Sequence, residues 1–380
     1  MSKCIIEPEA TIGLLGGGQL GRMFALAARK MGYRVHTFEP QPASPAGQIS
    51  DREFNAAYDD LAELDTFAQS VDVVTFEFEN IPAKVIERIA QHKPVHPRAE
   101  VLHICQNRER EKNFLQKQGY PVAPFRIVSS AVDLQNAMSE IEGDLVLKTA
   151  DFGYDGKGQL KVNRAQLAES IWEQFATPKA VVEKWIGHLC ELSVVVARNA
   201  EGECAAFPPA ENLHRHHILD LSIVPARVDA ALQKKAVEIA TNIAHDLDLT
   251  GLLAVEFFIT ETGELLVNEL APRPHNSGHY TVDACVTSQF EQQLRAVCGW
   301  PFGSTKLLTP VVMVNLLGDL WKKGQPPDFS PVLSEPDAKL HLYGKVEGRP
   351  GRKMGHFCVL KPNLVEALAT ALKIQAQLTK

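Results

Sequence analysis

The chain has 380 residues and a formal net charge of −7, with 45% apolar and 22% charged residues. That length exceeds one ordinary core and fits two or three packed domains, and the composition excludes a largely disordered chain. A negative balance gives no global pull toward nucleic acid or an anionic membrane, although a local basic pocket can still bind phosphate.

No uncharged apolar run approaches the roughly 18 residues of a membrane helix. Met1 to Ala10 carries Lys3, Glu7 and Glu9 and lacks the apolar core of a signal peptide. The chain therefore reads as cytoplasmic, with neither a nucleic-acid nor a membrane partner. Cys4, Cys105, Cys190, Cys204, Cys285, Cys298 and Cys358 are scattered without a Cys-x-x-Cys pair. Most of them read as buried thiols, and the set not as a disulfide framework or a zinc cluster.

Residues 11–100 alternate strand and helix. Thr11 to Leu15 is a short apolar run, followed by Gly16-Gly17-Gly18-Gln19-Leu20-Gly21. Leu20, Met23, Phe24, Ala27, Ala28 and Met31 then share a helical face that Gly32 stops. Tyr33 to Phe38 and Val71 to Phe76 read as further strands, and this alternation implies right-handed βαβ units on a parallel sheet. A charged helix follows from Asn107 to Gln118, then strands at 144–148, 180–186 and 191–198. An amphipathic helix at about Ala230 to Asp246 precedes strands at 252–259 and 264–269. From about Thr309 the chain is strand-rich and punctuated by Pro and Gly, closing with a helix near Leu364 to Leu378. Domain boundaries are expected near 105 and 308.

Gly16, Gly18 and Gly21 match G-x-G-x-x-G between a strand and a helix, and Glu39 ends the next strand where a ribose-binding acid would sit. Such glycines let a phosphate approach the amides of a helix N-terminus. A tight turn without ligand is the plainer alternative. Nothing downstream resembles a nicotinamide-handling domain, so the motif supports phosphate binding better than NAD.

The middle third carries the stronger signal. Lys148 ends an apolar strand, and Gly153-Tyr154-Asp155-Gly156-Lys157-Gly158-Gln159 follows. Three glycines around a lysine form a flap whose amides and ammonium can close over phosphates, where a plain hairpin is the alternative. No Walker loop is present. If the next hairpin turns at Thr262-Gly263, Glu256 lies directly opposite Glu269 in otherwise apolar strands. Facing carboxylates roughly 5 Å apart at Cβ repel, and a divalent cation with substrate phosphates resolves the conflict. An exposed pair on a sheet edge is the alternative. Asn268 is adjacent, with its side chain expected on the opposite face. Pro272 and Pro274 then stiffen a loop that can hold Arg273, His275 and Asn276 near a γ phosphate, if it is more than a run of turn formers.

Flap, strand lysine and paired acids together resemble the ATP-grasp ligases, and within them the N5-carboxyaminoimidazole ribonucleotide synthetases. The motifs are GGGQLGRM at 16–23, TFEFEN at 75–80, YDGKGQ at 154–159, VVEKW at 181–185, ELSV at 191–194, PPAEN at 208–212, VEFF at 255–258, NELAPRPHNSGHY at 268–280, VNLLGD at 314–319 and RPGRKMGH at 349–356. They run through nearly the whole chain in order.

The resemblance implies an α/β ATP-grasp fold. A Rossmann-like pre-ATP-grasp domain would span 1–105, an ATP-grasp domain 106–308 with a flap subdomain at about 115–186, and a small β-rich C-terminal domain 309–380. It implies carboxylation of 5-aminoimidazole ribonucleotide by ATP and bicarbonate through carboxyphosphate, in de novo purine synthesis. Mg²⁺ is the implied metal, with Mn²⁺ as a substitute. A homodimer and a functional link to a carboxyaminoimidazole ribonucleotide mutase are further implications.

Residue by residue, Arg108 and Lys148 would contact the nucleotide phosphates under the flap Gly153 to Gln159. Glu183, Lys184, Trp185 and Ile186 would face adenine, Glu191 the ribose hydroxyls, and His214 the nucleotide. Glu256 and Glu269, with Asn268 nearby, would hold Mg²⁺. Gly17, Gly18, Gln19 and Leu20, with Glu77 and Asn80, would receive the ribonucleotide. Tyr154, Asp155, Arg273, His275, Asn276 and Lys353 would surround the reacting groups, with Lys345 and Arg352 on the substrate. Two other classes compete: an NAD-dependent oxidoreductase using Gly16, Gly18, Gly21 and Glu39, and a non-catalytic binding protein that keeps the fold.

Overall fold

The computed structural model describes residues 5–151 and 158–379. Gly153, Tyr154, Asp155, Gly156 and Lys157 of the expected flap lie outside the described residues. Among the described residues the strands form three sheets. In the first, β1 (Thr11–Leu15), β2 (Arg34–Phe38), β3 (Arg52–Phe54) and β4 (Val73–Phe76) run parallel in the order β3-β2-β1-β4. Every residue of β1 and β4 is buried, as a parallel sheet covered on both faces requires. Helix Gln19–Lys30 buries Leu20, Met23, Phe24 and Ala28 at helical spacing. The chain leaves β1 toward β2 and β3 on one side and returns with β4 on the other. The strand order therefore reverses at the carboxyl end of β1, the place where open α/β sheets form a crevice.

The second sheet is antiparallel and joins β5 (Phe125–Val128), β6 (Leu145–Thr149), β7 (Gln159–Val162) and β8 (Ala180–Lys184) in the order β5-β8-β6-β7. The sequence pattern does not predict β5 and β7, which are too short for alternation to stand out. The third sheet holds β9 (His188–Arg198), β10 (Cys204–Ala206), β11 (Ala210–Arg215), β12 (Ile218–Val224), β13 (Gly251–Thr260), β14 (Leu265–Ala271), β15 (Val311–Leu317), β16 (Ala338–Leu342) and β17 (Lys353–Leu360). Its order is β14-β13-β9-β11-β12-β15-β17-β16, with β10 paired to β9. The β12–β15 ladder, from Leu221↔Val314 to Val224↔Val311, joins residues on both sides of position 308.

Helix Gln289–Cys298 ties the parts together. Its Phe290, Leu294, Val297 and Cys298 pack into the core around Ile12, Leu14 and Phe24 of the first sheet. Helix Leu364–Leu378 covers β15 and β17 through Ala367, Ala371 and Ile374, at the spacing an amphipathic helix requires. Among the described residues no helix is long and apolar enough to cross a membrane.

The β13–β14 hairpin departs from the expected register near its turn. Ile259 pairs with Leu265 and Phe257 with Val267; a bulge then brings Glu256 opposite Glu269 and Val255 opposite Leu270. The loop between Thr260 and Glu264 has three residues, one more than the expected two-residue turn, and Gly263 takes the left-handed conformation at φ +80° that closes it. The extra residue on β14 is Asn268.

Asn363 caps the terminal helix, its side chain accepting from the Val365 amide at 2.8 Å. Asn363→Ala should lower stability by about 1 kcal/mol in denaturant titration. An unchanged midpoint and slope would show that the cap is idle.

Candidate active site

A cleft of about 1190 Å³ opens where the three sheets meet. That volume exceeds the range of a single drug-sized ligand and gives room for two small molecules end to end. Of the described residues expected at the site, all but Gly158 line it. Gly158 sits at the flap base, its carbonyl accepting from the Thr149 amide at 2.8 Å.

At one end lies the glycine loop between β1 and helix Gln19–Lys30. Its amides are already engaged. Gly18 N–H donates to Glu77 Oε1 at 2.6 Å, Gly21 N–H to Glu77 Oε2 at 2.9 Å, and Gly17 N–H to Glu39 Oε2 at 2.9 Å. A carboxylate from the end of β4 thus takes the helix N-terminus that the sequence reading offered to a phosphate. A Cβ on Gly18 would stand 2.4 Å from Glu77 Oε1, so the glycine is required by this internal acid. Burial raises the Glu77 carboxyl, and the Gly21 and Gly18 amides pull it back only in part. Gln19, Leu20 and Asn80 line the same end of the cleft. Glu39 is likewise engaged, which leaves the dinucleotide reading without its acid or its amides.

Opposite the loop, Arg273 pairs with Glu79 through two hydrogen bonds, Nε to Oε2 and Nη2 to Oε1. Burial alone would raise Glu79, but Arg273 overrides it and holds the carboxylate ionised below its usual range. Lys345 Nζ donates to the Lys353 carbonyl at 2.7 Å, and Arg352 Nη1 donates to the Glu347 carbonyl at 2.9 Å. These bonds fold the C-terminal basic segment along the cleft wall.

The other end is a buried knot of charge. Asn107 caps helix Arg108–Lys117 by accepting from Arg110 N–H, and its Nδ2 donates to Asp151 Oδ1 at 2.7 Å. Arg108 N–H donates to the Ala150 carbonyl at 2.8 Å, so helix and flap base are stitched together. Arg108 and Lys112 are four apart and share a helix face. Lys112, with 0% exposure, donates to the Asn268 carbonyl at 3.0 Å and lies 3.5 Å from Glu183 Oε2. Lys148 Nζ donates to the same oxygen at 3.1 Å. Burial would raise Glu183, but Lys112, Lys148 and Arg108 outweigh it and hold it at about 2. Glu183 was expected beside adenine. It lines the cleft, but its side chain is the countercharge of two buried lysines. Lys184, Trp185 and Ile186 follow it toward the rim, and the carboxylate of Glu191 lies between His188 and His214.

Between the two ends stand Glu256 and Glu269. Burial and then the facing Glu269 push the Glu256 carboxyl up to about 7. Arg108 Nη1 lies 3.4 Å from Glu269 Oε2 and offsets part of the repulsion. The bulge brings Asn268 to line the same cavity, which corrects the expected opposite face. Two facing carboxylates beside an amide are hard oxygen donors. They fit Mg²⁺, which keeps waters and substrate phosphates among its ligands. Among the described residues no group of three or more His, Cys, Asp or Glu side chains forms a closed metal cage. Glu111 lies behind them, raised to about 8 by burial and then Glu269, its Oε2 accepting from Leu270 N–H at 3.1 Å.

His275 Nε2 lies 3.3 Å from Glu256 Oε1, and its Nδ1 lies 2.9 Å from Ser277 Oγ. Ser193 donates to Ser277, Asn212 to Ser193, and Ser222 to Asn212, at 2.6, 2.8 and 2.8 Å. This chain of donors points its last hydroxyl at Nδ1 and leaves the Nε2 proton for Glu256. Burial, with Arg273 and Lys353 nearby, keeps the imidazole neutral. Asn276 lines the cleft, yet its amide is paired reciprocally with Asn315 at 3.1 and 2.7 Å.

The chain's matches with known proteins follow the same layout. The ribonucleotide synthetase preATP-grasp domain matches residues 9–106, and the ATP-grasp domain matches 113–290. The phosphoribosylaminoimidazole carboxylase C-terminal domain matches 311–370. N5-carboxyaminoimidazole ribonucleotide synthase of Bacillus subtilis is 48% identical over 361 residues, 95% of this chain and 94% of that one. The chain belongs to this family of ATP-grasp ligases. The Brucella melitensis member is 42% identical, covering 96% of this chain and all of its own. A solved family member in complex with ADP superposes with TM-score 0.92 at 44% identity, covering 99% of this chain and 98% of its own. An Aspergillus clavatus member, solved with ADP and 5-aminoimidazole ribonucleotide, has TM-score 0.87 at 30% identity, covering 97% of this chain and 98% of its own. Neither the family nor the loop geometry supports an NAD-dependent oxidoreductase.

Sequence reasoning missed Glu79, Lys112, Glu111, His188 and the serine chain behind His275. Some signal was present. Glu79 follows Glu77 by two residues, and Glu111 and Lys112 follow Arg108 by three and four. The serine chain crosses separate strands and has no local signal.

Glu183→Gln leaves Lys112 and Lys148 buried without their countercharge and should cost about 3–5 kcal/mol in denaturant titration at pH 7. Its pKa is depressed from 4.5 to about 2, so its stabilisation is complete above pH 4.5 and lost as pH falls toward 2. The stability gap between wild type and variant should therefore close across that window. A gap of under about 1 kcal/mol at pH 7 would show that another group neutralises the lysines.

Proposed function

We propose that the chain carboxylates the exocyclic amine of 5-aminoimidazole ribonucleotide using ATP and bicarbonate, as a step of de novo purine synthesis. One observation carries the proposal: the cationic knot, the facing carboxylates and the glycine-loop end line a single cleft of about 1190 Å³. The family's solved complexes with ADP and with the ribonucleotide support the same assignment.

In the first step a bicarbonate oxygen attacks the γ phosphorus of ATP, the bond to the β-phosphate oxygen breaks, and ADP leaves. This transfer needs positioning and charge neutralisation more than covalent help. Arg108 and Lys148 are assigned to the phosphates, with Gly153 to Gln159 closing above them. Mg²⁺ held by Glu256 and Glu269, with Asn268 beside them, would neutralise phosphate charge, and Mn²⁺ would substitute. Arg273 and Lys353 are assigned to the bicarbonate and the carboxyphosphate it becomes, with His275 and Asn276 in the wall. In the second step the amine nitrogen attacks the carboxyl carbon of carboxyphosphate, or CO₂ released from it within the closed cleft. Phosphate leaves and the amine gives up a proton, a role assigned to Asp155 with Tyr154 beside it. Carboxyphosphate hydrolyses readily, so closure against water is required.

Gly17, Gly18, Gln19, Leu20, Glu77, Asn80, Lys345 and Arg352 are assigned to the ribonucleotide. Lys184, Trp185 and Ile186 are assigned to adenine, Glu191 to the ribose hydroxyls, and His214 to the nucleotide. The domain divisions near 105 and 308, the cytoplasmic location, the homodimer and the link to a mutase belong to the same proposal.

ADP formation should require Mg²⁺ and bicarbonate and rise strongly when 5-aminoimidazole ribonucleotide is added, in a coupled ADP assay. An ADP rate indifferent to the ribonucleotide would remove it as substrate. Glu269→Ala should reduce turnover by at least about a hundredfold while far-ultraviolet circular dichroism stays native. Wild-type turnover in that variant would refute the metal assignment.

A further inference from the structure

His188 is absorbed by none of the roles above, yet it lines the cleft at the nucleotide end. Its Nε2 lies 3.1 Å from Glu191 Oε1, and its Nδ1 lies 3.3 Å from the Ile186 carbonyl oxygen. Both partners are acceptors only, so each ring nitrogen must carry a proton for both contacts to be hydrogen bonds. The ring is stacked on Phe258 of β13, with centroids 4.8 Å apart and planes 18° apart. From the other side His214 Nδ1 meets Glu191 Oε2 at 2.9 Å. Among the described residues, the groups facing His188 are Glu191 on its own strand, the Ile186 carbonyl and the Phe258 ring. His214 on β11 reaches it only through Glu191.

We propose that His188 is a positioning residue that sets the ribose specificity of the nucleotide site. It clamps Glu191 so that the carboxylate keeps one free lone pair on each oxygen for the two hydroxyls of a ribonucleotide. The inference rests on the reading of this end of the cleft as the nucleotide site. Three features support it. Each carboxylate oxygen is held by a separate imidazole, which fixes the plane of the group and not merely its charge. Stacking on Phe258 fixes the plane of the imidazole in turn. The two histidines also hold Glu191 ionised, outweighing the burial that would raise it. An ionised, oriented carboxylate accepts two hydroxyl hydrogen bonds, and its discrimination against a nucleotide lacking one of them follows from the polar group then left unpaired.

The test compares ATP with 2′-deoxyATP by calorimetric binding and steady-state kinetics on the full chain. Wild type should prefer ATP. His188→Phe keeps the stack on Phe258 and removes both donors. It should weaken ATP by about tenfold and 2′-deoxyATP, which keeps one hydroxyl for Glu191, by clearly less, so the preference falls toward unity. The loss should fall on KM for ATP and not on kcat. His188→Gln, which can return a donor to Glu191, should recover most of the preference. A His188→Phe variant that keeps the wild-type ratio, or loses both nucleotides equally, would overturn the assignment. Wild-type protein that binds neither nucleotide would instead overturn the reading of this end of the cleft. Matching thermal melts show that the variants are folded.

Discussion

Two carboxylates facing one another across neighbouring strands set the terms for the rest of this molecule. Glu256 and Glu269 are register partners on β13 and β14, and burial with mutual repulsion lifts Glu256 to about 7. Such a pair persists only where other charges or a cation answer it. Arg108 answers Glu269 directly, and the proposed function assigns the remainder to a metal and phosphates. The pair therefore links sequence to function through a conflict the fold sustains.

Among the described residues the surrounding charges follow one rule: each buried cation is met by an acid, and each acid by a donor. Lys112 and Lys148 share Glu183, Arg273 takes Glu79, and Glu77 takes the amides of Gly18 and Gly21. The overall charge of −7 describes the solvent-facing surface and predicts none of this. Cations held beside acids in a low-dielectric cleft are preorganised, so they need not reorient when phosphate arrives. In the proposed reading, Glu183 contributes to phosphate binding by keeping Lys148 in place.

Much of the layout is legible in the sequence, for physical reasons that differ by element. The helix at Leu364–Leu378 and the strand at Thr11–Leu15 are long or apolar enough for periodicity to define them. The Glu256–Glu269 pairing agrees with the register read from the turn only because the bulge at Asn268 offsets a one-residue shift nearer the turn. Asn268 is not legible, because the bulge that shifts the pairing by one residue and redirects its side chain has no local sequence signal. The glycine loop misleads because its amides find their acceptor 59 and 56 residues away, just past the end of β4 and beyond any local motif. Glu183 looks like a ligand-facing strand end until Lys112, from another element, is placed against it. Local chemistry can be read along the chain, whereas charge partners drawn from distant elements need the fold.

The proposed chemistry makes one claim that no binding experiment reaches: a bicarbonate oxygen becomes bonded to the γ phosphorus. Turnover with [¹⁸O]bicarbonate in unlabelled water tests it, with the released phosphate analysed by mass spectrometry. The account requires the phosphate to carry one oxygen from bicarbonate per turnover. Phosphate whose new oxygen comes only from water would mean that ATP is hydrolysed directly, and would contradict the carboxyphosphate route.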